Sequence, residues 1–346
     1  MLEHGGNLND AVMRYGIARA EWLDLSTGIN PNCYPVPVLR ADAWHRLPES
    51  SDALVMAACA YYGAPRMLAV AGTQAAIQAL PQLRLREKGV SRVVVAAPAY
   101  AEHAHRWQQA GHAMREIDYA DLQKALDNCD VMVVCNPNNP TGARVAPEVL
   151  LGWAQQLASR GGWLVVDEAF GDTTPHLSVT GQAGVQPGLI VLRSVGKFFG
   201  LAGLRLGFVA AQNTVLESLQ KWLGPWAVSG PAQEIGIAAL CDEDWQRATC
   251  ERLLADGERL NQLLVGVGIQ ASGSAMYQWW AEPDAAGFHD WMAQQGIWVR
   301  LFTRGAGGIR LGLPPDEAGW QRLQTALQGW NQNKNQNKNK NPEHAA

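Results

Sequence analysis

Short apolar runs that end on polar or glycine-rich segments, with helical stretches between them, constrain this chain most. Runs at 67–71, 92–97, 130–135, 163–166, 189–192 and 206–210 read as strands, most of them without a polar alternate residue. Such strands are buried on both faces. Helices are expected at 51–62, capped by Ser50 or Ser51, and at 72–85, 101–110 and 147–160, the last with Pro147 in its first turn. A weak strand signal at 116–117 and a short helix at 121–126 complete this half. Strand alternating with helix argues for a mainly parallel sheet sandwiched by helices.

The remainder reads as a smaller α/β domain. Helices are expected at 214–222, 231–241 and 244–264, then strands at 273–281 and 297–302 with a helix at 285–295 between them. A strand at 308–312 and a helix at 316–330 close it. The domain expectation is an N-terminal segment at 1–45 that contributes to the site and the small domain, a large domain at 46–230, and a small C-terminal domain at 231–330. Residues 1–45 are polar and read as irregular, and Asp24 to Pro31 within them is turn-rich and is not expected to form a regular element. Residues 331–346 begin with alternating Asn, Gln and Lys that cannot bury a core, so disorder is expected there.

Composition excludes several classes. With 346 residues, 47% hydrophobic and 17% charged, a sizeable core is feasible. A net charge of −4 gives no electrostatic case for nucleic acid or an anionic membrane. No apolar run reaches the ~18 residues of a membrane span, and the first residues do not read as a signal peptide. Six cysteines, with no C-x-x-C pair and no zinc spacing, point to reduced thiols in a cytoplasmic protein without a metal site.

Three motifs stand at strand ends. Asn136-Pro-Asn-Asn-Pro-Thr-Gly142 follows one run, Asp167-Glu-Ala-Phe170 a second, and Ser194-Val-Gly-Lys197 a third, with Leu201-Ala-Gly-Leu-Arg205-Leu-Gly207 beyond it. Ligands in open α/β sheets collect at that edge. An acid, an amide and a lysine delivered there suit pyridoxal phosphate, which needs a lysine for its Schiff base, an acid beside the pyridine nitrogen, and donors for its phosphate and phenolate. Gly72-Thr73-Gln74, a glycine and hydroxyl opening a helix after a strand, reads as a phosphate cup.

Taken in order, these motifs resemble the fold-type I pyridoxal-phosphate enzymes of the aminotransferase superfamily, over roughly residues 1 to 330. The resemblance implies a homodimer and assigns roles. Lys197 would bind the cofactor covalently, Asp167 would pair with the ring nitrogen, and Asn139 would donate to the phenolic oxygen. Ser194, Arg205, Gly72, Thr73 and Gln74 would hold the phosphate, and Tyr100 would stack on the ring. Arg310 in Gly308-Ile-Arg-Leu-Gly312 matches the substrate-carboxylate arginine, and Arg300 the position used for a distal phosphate. A single arginine of this kind reads as a surface ion pair, whereas two ending adjacent strands read as an anion clamp.

The start of the chain narrows the likeness. His4-Gly-Gly-Asn7 with Asp24-Leu-Ser-Thr-Gly28-Ile-Asn30-Pro31 resembles the threonine-phosphate decarboxylases of cobalamin biosynthesis, relatives of histidinol-phosphate aminotransferases. By that likeness His4, Gly28 and Asn30 would lie at the substrate, with His4 near its phosphate. The implied reaction is decarboxylation of L-threonine O-3-phosphate to (R)-1-amino-2-propanol O-2-phosphate. Histidinol-phosphate transamination and a non-catalytic binding protein of the same fold stay open as alternatives. Two positions depart from the wider pattern: Phe170 stands where tyrosine is common, and Leu47 stands where relatives carry a tyrosine that reaches across the dimer.

Overall fold

The computed structural model describes residues 5–303 and 307–340. Its strands are β1 (Leu23–Asp24), β2 (Leu68–Val70), β3 (Arg92–Ala97), β4 (Ala113–Asp118), β5 (Val131–Cys135), β6 (Trp163–Asp167) and β7 (Leu189–Ser194). They continue with β8 (Gly207–Ala210), β9 (Ser272–Ser274), β10 (Tyr277–Trp280), β11 (Ile297–Trp298), β12 (Arg300–Phe302) and β13 (Gly308–Gly312). The helices are α1 (Leu8–Tyr15), α2 (Asp42–His45), α3 (Asp52–Tyr62), α4 (Thr73–Lys88), α5 (Ala101–Gln109) and α6 (Leu122–Ala125). After them come α7 (Pro147–Ala158), α8 (Asn213–Leu223), α9 (Gly230–Cys241), α10 (Glu243–Gly266), α11 (Ala285–Gln294) and α12 (Glu317–Lys340). The chain forms two compact units, residues 33–252 and residues 1–32 with 253–346.

The unit of residues 33–252 is built on a seven-stranded sheet of order β2-β8-β7-β6-β5-β3-β4, in which β8 alone runs against the rest. Ile77 and Leu80 of α4, Trp107 of α5 and Leu219 of α8 form one core with Val93, Val131, Val165 and Ile190 of the sheet. The alternate residues Val94, Met132, Leu164 and Val191 are equally buried, so both faces are covered. That double burial is why these strands read as unbroken apolar runs. Each such side chain contributes about 1.5–3 kcal/mol on burial. The Ser51 hydroxyl accepts from Leu54 N and caps α3.

In the other unit, β12-β13-β10-β9 form an antiparallel sheet and β1 pairs in parallel with β11. Residues 1–45, expected to be irregular, thus supply α1, α2 and the two-residue strand β1, the last too short to show a period. The apolar stretch at 273–281 is two strands folded back at Ala275 and Met276, and 297–302 is two strands that part at Val299. The 116–117 signal is the middle of a six-residue edge strand, β4, whose alternation is blurred by exposed Arg115 and Glu116. Disorder from residue 331 is not what the structure has: α12 runs on to Lys340, and residues 341–346 lie outside the described residues. Asn, Gln and Lys all tolerate helix, and Lys334 Nζ meets the buried Glu282 carboxylate at 3.0 Å.

Candidate active site

The carboxyl ends of β3, β5, β6 and β7 open onto one pocket. Tyr100 follows β3, Asn139 follows β5, Asp167 ends β6, and Ser194 ends β7 with Lys197 in the turn after it. Gly72, Thr73 and Gln74 at the start of α4, and Arg205, line the same pocket. Every residue that the sequence suggests for the cofactor therefore falls in one cavity.

One end of the pocket is built for an anion. Gly72 caps α4 at φ 72°, and a Cβ there would stand 2.5 Å from Arg205 Nη2, so only glycine admits the guanidinium so close to the helix start. Arg205 itself is left-handed at φ 55°, an uncommon conformation for a side-chain-bearing residue, and its Nη1 donates to Ala202 O at 3.0 Å. The first amides of α4 have no partner within their helix and add a positive dipole end. The Gln74 side chain is engaged by protein groups: Nε2 donates to Glu102 at 2.5 Å, and Oε1 accepts from Tyr100 OH at 3.4 Å. Burial, with Glu102 and Asp167 nearby, pushes the Tyr100 phenol up to about 12.

The same pocket carries an oriented carboxylate. Asp167 is 5% exposed. Its Oδ1 accepts from Ala169 N at 3.0 Å, and its Oδ2 lies 2.8 Å from His103 Nε2. An ionised carboxylate only accepts, so His103 Nε2 is the donor. His103, 2% exposed, is a residue that the sequence reading missed; its signal was the position three residues after Tyr100, on the same face of α5. Cys135, opposite Asp167 in the sheet, was missed as well, and burial holds its thiol well above the usual range. His103, Cys135 and Asp167 place their ligand atoms within 4.8 Å of one another. Lys197 Nζ stands 5.6 Å from the Phe170 ring, and both line the pocket. Beside Asn139, Asn136 brackets Val145 with two hydrogen bonds, and Asn138 donates to Pro98 O.

In the unit of residues 1–32 and 253–346, Arg310 lies directly opposite Arg300 across β13 and β12. Arg310 is 6% exposed, donates to Ser26 O at 2.8 Å and lies 5.3 Å from the Tyr277 ring. Burial, reinforced by the Arg300 charge, lowers it to about 10. Arg300 is half-buried against Phe302. Gly28 is buried, and buried Asn30 accepts from Asn32 N. His4 lies outside the described residues, although Gly6 N donates to Ser26 Oγ at 2.7 Å.

The model of the aminotransferase class I and II family matches residues 39–318. The chain belongs to that family. Within it, the chain is 53% identical over 333 residues to a threonine-phosphate decarboxylase of Pseudomonas aeruginosa, covering 96% of this chain and 99% of that protein. It is 43% identical to a threonine-phosphate decarboxylase of a Sinorhizobium species, covering 94% and 97%. Its fold is shared by the crystal structure of histidinol-phosphate aminotransferase from Sinorhizobium meliloti in complex with pyridoxal-5'-phosphate, at a TM-score of 0.79 and 20% identity over 96% of each chain. Among the described residues no helix is long and apolar enough to cross a membrane.

Proposed function

We propose that this chain is a pyridoxal-phosphate-dependent carboxy-lyase that converts L-threonine O-3-phosphate to (R)-1-amino-2-propanol O-2-phosphate, a step of cobalamin biosynthesis. The observation that carries the reading is identity of 53% and 43%, over nearly the whole length, to proteins named threonine-phosphate decarboxylase. The pocket suits the cofactor on its own terms. Gly72 with the nearby Arg205, the first amides of α4 and Ser194 suit a phosphate, Asp167 suits a pyridine N–H, and Lys197 lines the same pocket.

The chemistry that pyridoxal phosphate supplies when bound is an electron sink for the bond broken at the substrate's α-carbon. Lys197 Nζ would hold it covalently and could return a proton to that carbon. Asp167, aimed by His103 and Ala169 N, would favour the protonated ring nitrogen. Arg205, Ser194 and the α4 amides would hold the phosphate, Asn139 would donate to the phenolic oxygen, and Tyr100 would stack. Phe170 has no hydroxyl and contributes an apolar wall that excludes water.

Arg310 is assigned the substrate carboxylate, and Arg300 with His4 the substrate phosphate, with Gly28 and Asn30 shaping the same region. The carboxylate must be held loosely enough to leave, because grip that persists unchanged into the transition state does not speed bond breaking. The phosphate stays, so its contacts can orient the scissile bond. Histidinol-phosphate transamination is less favoured because the relatives of nearly full length carry the decarboxylase name, and a non-catalytic role is less favoured because Lys197 and Asp167 share the pocket. A homodimer is proposed as well. Trp44, Leu47 and Trp226 are 70%, 66% and 60% exposed on the 33–252 unit, and a sedimentation mass of one chain would overturn it. A cytoplasmic location rests on six free cysteines, and cell fractionation tests it.

Product analysis decides the reaction. With L-threonine O-3-phosphate the expected product is the phosphorylated amine, formed more slowly by Arg300→Ala. An oxo acid as the main product would mean transamination, and a rate loss in Arg300→Ala that is equal for phosphorylated and plain threonine would move phosphate recognition elsewhere.

A further inference from the structure

Adjacent in sequence to the pocket-lining Asp167 and Ser194 lies a buried ionic cluster that does not line the pocket. Glu168, Asp172 and Arg193 are 0%, 8% and 3% exposed. Arg193 Nη1 donates to Glu168 Oε2 at 2.7 Å, and its Nη2 lies 3.3 Å from Asp172 Oδ1. The guanidinium stands 4.4 Å over the Tyr62 ring, and Tyr61 OH donates to Asp172 at 3.2 Å. Glu168 is saturated: it also accepts from Ser178 Oγ at 2.5 Å, Val179 N at 2.8 Å and Thr180 Oγ1 at 2.8 Å. A Cβ on Gly171 would come within 2.6 Å of Arg193 Nη1, so the turn after β6 is shaped to the guanidinium.

The placement of this cluster in the sheet gives it a task. β6 and β7 are parallel neighbours, with Asp167 opposite Leu192 and Glu168 N donating to Leu192 O. Glu168 immediately follows Asp167, and Arg193 immediately precedes Ser194. Successive residues of an extended chain point to opposite sides. Asp167 and Ser194 line the pocket, and Glu168 and Arg193 do not. The Glu168–Arg193 pair therefore ties the two strand ends together one residue behind two proposed cofactor contacts. Arg193 is thus held between two carboxylates, Glu168 at hydrogen-bond distance and Asp172 slightly farther off.

We propose that Glu168 and Arg193 are positioning residues that set the spacing between Asp167 and Ser194, and with it the affinity for pyridoxal phosphate. A ligand-holding group needs its supporting shell to keep it within about half an ångström of the productive place. Glutamine at 168 would turn an NH2 toward either Val179 N or the Arg193 guanidinium, neither of which can accept, and would leave Arg193 without its closer carboxylate. The inference rests on the cofactor reading of the pocket.

The experiment titrates apoprotein with pyridoxal phosphate, well below each variant's own melting temperature, and records the melting of the apoprotein separately. Wild type failing to bind would refute the cofactor reading and this inference with it. Given binding by wild type, Glu168→Gln is expected to raise Kd about tenfold or more. A lowered melting temperature with unchanged Kd would overturn the inference, because a merely structural role moves the melt alone. If Glu168→Gln does not fold, Arg193→Lys keeps the charge but reaches one carboxylate at a time, and the same two readings decide: a raised Kd supports the inference and an unchanged Kd ends it.

Discussion

Asp167 has both carboxylate oxygens engaged before any ligand arrives, one by Ala169 N and one by His103. Its plane is fixed in advance, and fixed geometry is what lets a charge act without reorganisation. Asp167→Asn should still bind pyridoxal phosphate yet lose activity about 10- to 100-fold, the equivalent of a charge-assisted hydrogen bond of about 1.5–3 kcal/mol. Near wild-type turnover in that variant would remove Asp167 from the ring nitrogen. Asp167, Ser194 and Lys197 were legible in the sequence because each follows a run too apolar to be anything but a buried strand. His103 was signalled only by its place three residues after Tyr100, because a helix interior does not tell which strand end its side chain will meet. Gln74 was half legible: its place at the helix start is there, but the capture of its amide by Glu102 and Tyr100 is a tertiary event.

Among the elements, the start of the sheet is fastened by one acid. Asp130, just before β5, accepts from Arg92 N at 2.8 Å and pairs with Arg92 Nη2 at 2.8 Å, joining β5 to β3. Hydrogen bonding to Arg92 holds its carboxyl below the usual range, against the opposing effect of its partial burial. A depressed folded value means stability that is present above the unfolded pKa of about 3.9 and is lost as pH falls through the folded one. Asp130→Asn should therefore lower Tm by no more than a few degrees at neutral pH, since the pair is partly exposed, and the gap should close in acid. A gap that persisted unchanged at low pH would mean that the charge is not what fastens the strands. The parallel strands themselves were legible because double burial removes every polar interruption. β4 was dim because an edge strand keeps polar residues, and β1 was unreadable because two residues carry no period. The last helix outran its apolar pattern because helix needs no apolar residue to continue once Trp320, Leu323 and Leu327 have anchored it.

At the scale of the whole molecule, one unit carries the strand-end pocket and the other the paired arginines. Nothing in either fold chooses between removing a carboxylate and moving an amine, since the family's fold hosts both; the choice belongs to how the substrate's two anions are held. Threonine phosphate with both anions engaged should react at least ~100-fold faster than threonine, as a lost set of charged contacts to phosphate amounts to several kcal/mol at about 1.4 kcal/mol per tenfold. The direct measurement is carbon dioxide released from carboxyl-labelled L-threonine O-3-phosphate by protein saturated with pyridoxal phosphate, with no 2-oxo acid added. One carbon dioxide per substrate consumed is expected, far faster than from plain threonine. No release, or faster turnover of histidinol phosphate once 2-oxoglutarate is supplied, would contradict decarboxylation as the function of this chain.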